Sequence, residues 1–483
     1  MTLKDPMSTL PVSESIHPAL AALWSEHGLA EDALARIALP GAARGFASRF
    51  PVVPAAQISA GAAALAATEI ERWRAPGRPA QGVTVDAQHA AFETSGYFTV
   101  DGVQPDAWAP ISGLYACGAA THAPGWVRIH ANFDHHRDGA LALLGLPTGA
   151  DTQRAAVEQA LRQWNADDFE AQAAAKGLPV AAVRGSAQWL ALGHEAVLAE
   201  QELVTLTRIG DAPPLPWPAL AEGAKPLAGL RVLDLTRIIA GPVAGRTLAA
   251  HGADVMLVNG PHLPNIEAIA DTSRGKRSAQ LDLRTAGGQQ ALRDLVAQSQ
   301  VFLQAYRPGA LAAKGFSAEE LARLRPGLVV AELSAYGWQG PWAGRRGFDS
   351  LVQTATGVQA DEALARGQAA PRALPMQILD YSAGYLLAYG IQAALLRQAR
   401  EGGSWQVRVT LAGVARWLRG LGAVEVPDGD WDQPKPDITP YLETTASGFG
   451  ALRAVRHCAV LSRSAPGWER LSVPPGTDAP AWV

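Results

Sequence analysis

The residues able to do chemistry in this chain gather around one carboxylate. In ALPMQILDYSAGYLLAYGIQAALLRQ, residues 373–398, Asp380 stands at the mouth of a long apolar helix. Beyond Gly384, Leu386, Leu387, Ile391, Leu395 and Leu396 leave little polar face, so the helix is expected to be buried. Free amide groups and the dipole at a helix start favour an anion, so Asp380 reads either as a cap or as a positioned nucleophile. The tight turns IIAGP, RPGAL and GWQGP let backbone approach a ligand closely, and Arg274, Lys276, Arg277, Arg284 and Arg307 lie between strands. Together they point to an anionic cofactor, although each arginine alone could simply solvate a loop. No GxGxxG and no P-loop motif occurs, which excludes the common nucleotide fingerprints. His130, Asp134, His135 and His136 match no common ligand spacing and read as a polar loop before a helix, with Asp134 or a neighbour as its N-cap, so no metal site is expected.

The elements that must position Asp380 form an α/β pattern. From LRVLDLT onward, apolar strands alternate with helices, among them one opened by Thr285 and one opened by a capping box at Ser317 to Glu320. This rhythm predicts a Rossmann-like open parallel sheet over residues 227–420, with its working crevice at the strands' carboxyl ends. A smaller α/β segment is expected over 57–215, before the Pro-rich linker GDAPPLPWPALAEGAKP. Residues 1–56 read as a helical lead containing HPALAALWSEHG and EDALARIAL, and 421–483 as an extended tail. With 41 basic against 45 acidic residues, a net charge of −4 argues against nucleic acid as a partner. Two cysteines, Cys117 and Cys458, cannot make a disulfide framework. No signal-peptide core opens the chain and no membrane-length apolar run follows, so the expected location is cytoplasmic, with no membrane partner.

At this point LAGLRVLDLTRIIAGPVAGRTLAAHGADVMLV, RGKRSAQLDL, YRPGALAAKGF, LSAYGWQGPWAGRRGFDSLVQTATG and LDYSAG, in order from Leu227 to about Leu418, resemble the family III CoA-transferases. The resemblance implies that coenzyme A is a substrate and not a resident cofactor, that a small carboxylate is the other partner, and that Asp380 is the nucleophile. It also implies a CoA site drawn from Ile239, Ala240, Gly241, Arg274, Lys276, Leu281, Arg284 and Arg307, and a homodimer of interlaced rings. Oxyanion donors are expected at the 239–241 turn and at the start of the 381–398 helix. Residues 57–215 are similar, more weakly, to the family's small domain, here placed ahead of the large one. Ile58-Ser59-Ala60-Gly61 aligns with Tyr381-Ser382-Ala383-Gly384, and Gln57 then stands where Asp380 does. An amide cannot be the carboxylate nucleophile, so one centre per chain is expected. Leu257, Asn259 and Ala313 depart from family residues at the CoA site, Ile239 replaces the oxalate enzyme's glutamine, and Phe348 replaces the racemases' histidine. The alternatives are an acyl-CoA racemase or isomerase using Asp380 as base, and a non-catalytic acyl-CoA-binding relative.

Overall fold

The computed structural model describes residues 17–483; the polar lead before His17 lies outside the described residues. In the first half, β1 (Ile37–Ala38) runs parallel to β2 (Val83–Val85), with the helix Val52–Arg74 between them. After β3 (Phe98–Val100) comes an antiparallel sheet of β4 (Gly113–Cys117), β5 (Gly125–Ile129) and β6 (Val180–Ala182), and the half closes with β7 (Thr205–Gly210). EDALARIAL, expected as a helix, is a 3-10 turn over Glu31–Arg36 that runs into β1. Ile37 and Ala38 are taken into ladder pairing with Val83 and Thr84, and a β-branched residue suits that pairing.

The second half builds the Rossmann-like sheet from β8 (Arg231–Leu235), β9 (Asp254–Asn259), β10 (Lys276–Gln280), β11 (Val301–Gln304), β12 (Val329–Ser334) and β13 (Ser404–Thr410). The order is β10-β9-β8-β11-β12-β13-β7, parallel throughout except for β7 at the edge. Strands buried on both faces need continuous apolar runs, and β11 and β12 are buried along their whole length. The order reverses between β8 and β11, which opens a crevice beyond their carboxyl ends.

Across the sheet lies the helix Ile378–Glu401, buried over nearly its whole length. It crosses the helix Ala240–Ala250 so closely that a Cβ on Gly384 would sit 2.5 Å from the Ala240 carbonyl oxygen, which explains the glycine of the LDYSAG motif. On another side it packs against its repeat counterpart Val52–Arg74, where the aligned Ser59 and Ser382 hydroxyls meet at 3.2 Å.

The two halves exchange strands. β7, from the first half, completes the second half's sheet by pairing antiparallel to β13. Residues 421–483 return the exchange: β14 (Leu442–Ser447) and β15 (Gly450–Val455) form a hairpin on β3, and β16 (Ala459–Leu461) pairs antiparallel to β2. No helix among the described residues is long and apolar enough to cross a membrane.

Candidate active site at Asp380

Asp380 is the third residue of its helix and does not cap it. The cap is Asp349, the first residue of the helix Asp349–Ala355: its Oδ2 accepts the Leu379 and Asp380 amides at 2.9 and 3.0 Å. Its Oδ1 accepts the side-chain amide of Gln353, whose own Oε1 is held by the Leu374 amide at 3.0 Å. The Asp380 carboxylate takes no hydrogen bond from the described residues and faces a cavity of about 360 Å³. Burial first, and the neighbouring Asp349 second, push its carboxyl well above the usual carboxylate range. Burial likewise raises Asp349, against the hydrogen bonds it accepts and the Arg128 guanidinium. An aspartate held this way is desolvated, unpartnered and aimed at open space, as a nucleophile must be.

The other wall of the cavity is the turn after β8. Ile238 adopts φ +78°, a conformation that costs a β-branched residue about 1–3 kcal/mol, and so turns the chain sharply into the helix Ala240–Ala250. Ala240 and Gly241 stand in that helix's first turn, whose N–H groups have no intrahelical acceptor, and both line the cavity. At the start of the Asp380 helix, by contrast, the Leu379 and Asp380 amides are taken by Asp349 and the Tyr381 amide by the Gln377 carbonyl.

Of the residues expected at a CoA site, Ile239, Ala240, Gly241 and Arg307 line this cavity with Asp380. Four others do not. Lys276 is fully buried beneath the helix Ala240–Ala250, where it donates to Asp234 and to the Pro242 carbonyl, each at 2.8 Å. Gly245 makes room for the pair: a Cβ there would lie 2.2 Å from the Asp234 carboxylate. Arg274 is held by Asp271, Glu443 and the Val455 carbonyl, with Trp468 stacked 3.8 Å from its guanidinium. Leu281 is packed in an apolar cluster with Leu292 and Leu295, and Arg284 is exposed and paired with Asp282. Burial and partners have claimed Arg274, Lys276 and Leu281, and Arg284 pairs locally with Asp282 at the surface, so none of the four lines this cavity.

Sequence reasoning also missed part of the wall. His135 and His136, read as part of a polar loop, line the cavity together with Phe133. The helix Asp134–Leu143 is capped by backbone at Phe133 and not by Asp134, whose carboxylate instead meets Arg137 at 2.8 Å. His130 stacks on Phe348 with ring centroids 3.9 Å apart, so the first half closes over the catalytic strand ends of the second. The available signal was chemical: two adjacent histidines beside a phenylalanine make an unusual lead into an exposed helix.

The chain thus presents a doubly wound α/β sheet with a buried, unpartnered carboxylate at its switch point and an exposed arginine at the rim. The sequence profile of CoA-transferase family III matches residues 227–437. The chain is 34% identical to a probable fatty acyl-CoA transferase of Mycobacterium tuberculosis over 270 residues, covering 51% of this chain and 68% of that one. It is 33% identical to a succinate–glutarate CoA-transferase of Agrobacterium fabrum over 249 residues, 46% of this chain and 62% of that one. An orthorhombic crystal structure of the M. tuberculosis protein aligns with 34% identity and a TM-score of 0.38, over 41% of this chain and 58% of that chain. The chain belongs to CoA-transferase family III. Over the first four curated relatives it matches, it spans between 37% and 68% of their length.

Proposed function

We propose that the protein transfers coenzyme A from an acyl-CoA donor to a carboxylic acid acceptor, with Asp380 as nucleophile. The observation that carries this reading is the Asp380 carboxylate itself: buried, free of hydrogen bonds from the described residues, and facing the cavity that the Ala240 and Gly241 amides also line. A carboxylate oxygen of Asp380 attacks the thioester carbon, the carbon–sulfur bond breaks, and CoA leaves as thiolate from a mixed anhydride. The thiolate then attacks the aspartyl carbonyl, releasing the donor's carboxylate and leaving an aspartyl-CoA thioester. The acceptor carboxylate repeats both steps in reverse, so an activated bond to the Asp380 carboxyl is kept until the acceptor leaves as its CoA thioester, and no ATP is needed. Oxyanions formed at each step fall to the Ala240 and Gly241 amides.

Ile239 to Gly241 and Arg307 are the CoA contacts in this reading, with Arg307 at the exposed rim suited to a phosphate. A cytoplasmic location and a homodimer belong to the same proposal. Because the face of the Asp380 helix is already covered by the helix Val52–Arg74 of the same chain, a dimer would form through other surfaces. Incubation with acyl-CoA followed by hydroxylamine tests the chemistry. Capture of the acyl group and mass labelling of the Asp380 peptide are expected; deuterium wash-in at the acyl α-carbon without labelling would instead make Asp380 a base.

A further inference from the structure

The Asp380 cavity holds more positive charge than a thioester needs. Arg237 and Arg346 line it, and among the described residues neither has a carboxylate within salt-bridge distance. Arg237 spends one N–H on the Pro264 carbonyl and Arg346 spends one on His136 Nε2 at 3.1 Å, which leaves the buried Nε of each without a partner. His136 is 3% exposed, and because its Nε2 accepts from Arg346 the ring proton belongs on Nδ1, a donor that is also unpartnered. Cations left unpaired and half-buried are costly and are ordinarily matched by an anion. Among the described residues Asp380 is the single acid lining the cavity, and in the reaction proposed above it is consumed as the nucleophile.

We propose that Arg237, Arg346 and His136 form a subsite for a second carboxylate, so that the acid exchanged at Asp380 is a short dicarboxylate. The inference rests on the transfer reading and adds the substrate class to it. The rival occupant is a CoA phosphate. Kinetics separate the two occupants: loss of a phosphate contact raises the acyl-CoA KM, whereas loss of a carboxylate contact raises the acceptor KM. Arg307, exposed at the rim, is left for phosphate. Burial and the nearby Arg307 and Arg237 charges lower Arg346 from its ordinary value, a strain that a bound carboxylate would relieve.

The test uses the full chain, one acyl-CoA donor, and acceptors matched in length: succinate against butyrate, glutarate against valerate. The dicarboxylate is expected to lead in kcat/KM by about 10- to 100-fold, because a site built to bond a polar group rejects the analogue that lacks it. Arg237→Met and Arg346→Met, made separately in case one misfolds, should each cut the di- to monocarboxylate ratio by about tenfold or more, mainly through acceptor KM. Arg346→Lys should recover part of it. Equal use of both acid types, or variants that raise acyl-CoA KM while leaving the ratio unchanged, would overturn the subsite. Mass analysis of Asp380 separates the two failures. A CoA adduct with indifferent acceptor choice sinks the subsite alone, whereas no adduct and no transfer to any acid sinks the transfer reading and the subsite with it.

Discussion

Replacing Asp349 by asparagine tests the carboxylate pair directly. The amide oxygen of the new side chain could still accept the Leu379 and Asp380 amides, now at 2.9 and 3.0 Å from Asp349 Oδ2, so the helix start would keep its cap. The new –NH₂ would face the Gln353 side-chain amide, and turning Gln353 over would forfeit the bond its Oε1 receives from Leu374 at 3.0 Å. One buried hydrogen bond lost in this way costs about 1–3 kcal/mol, partly offset because a buried like charge disappears beside Asp380. The effect on chemistry has a definite sign. Asp349 helps to raise the Asp380 carboxyl, attack needs the Asp380 anion, and so kcat/KM should fall toward acid along a limb set above the usual carboxylate range. In Asp349→Asn that limb should move to lower pH. Stability carries a matching signature. Both carboxyls are raised in the folded state, so the folded chain holds protons that the unfolded chain has released. Their contribution is therefore full below the ordinary carboxylate range and is lost as pH rises through the folded values. Denaturant midpoints measured across that range should slope less in the variant. An acid limb that stays in place or moves upward would refute the argument that Asp349 controls Asp380.

Asp380→Asn should abolish transfer and the hydroxylamine-sensitive adduct while leaving the melting temperature unchanged or higher, since a buried carboxyl without a hydrogen bond is removed; near-normal turnover would sink the mechanism. Lys276→Met strands the fully buried Asp234 carboxylate and should cost about 3–5 kcal/mol in urea unfolding, with CoA affinity changing only as far as the fold does. Gly384→Ala drives a methyl against the Ala240 carbonyl and Val243, backbone and packed side chain that cannot swing away, and should cost about 1–3 kcal/mol together with most of kcat. Gln57→Ala removes two bonds, to the Pro40 and Val85 carbonyls at 3.1 and 2.9 Å, and should lower stability by about 1–3 kcal/mol with kcat untouched.

Local rules carried the sheet and its caps: Thr285 accepts the Gly288 amide, and Ser317 and Glu320 close their box as the sequence pattern requires. The buried helix behind Asp380 was equally legible, because its apolar residues are too dense for any surface position. Partnerships were not. Nothing near Lys276 announces that Asp234, 42 residues away, will hold it under a helix, or that Glu443 will claim Arg274. Asp349 and Asp380 are 31 residues apart, so a reading of the helix alone assigns the cap to the wrong carboxylate. Phe133 and His136 escaped for the same reason: what makes them part of the site is the packing of one half of the chain over the other.

That packing bears on the expectation of a single centre. Gln57 occupies the repeat position of Asp380, yet its amide is spent on Pro40 and Val85, two backbone carbonyls that hold it beside β2, the short counterpart of β13. A carboxylate there would face those carbonyls with no proton to offer, so reversion to aspartate would add a buried charge without an acceptor pocket. The first half has instead kept the β4–β6 unit, whose β5 carries Arg128 toward Asp349 and whose following loop and helix bring His130, Phe133 and His136 to the second half's site. Its last strand, β7, is built into the same sheet that carries Asp380's helix, and β16 returns the connection. The half that lacks a nucleophile therefore lines the second half's cavity, and in the proposed acceptor subsite its His136 stands with Arg237 and Arg346 of the second half.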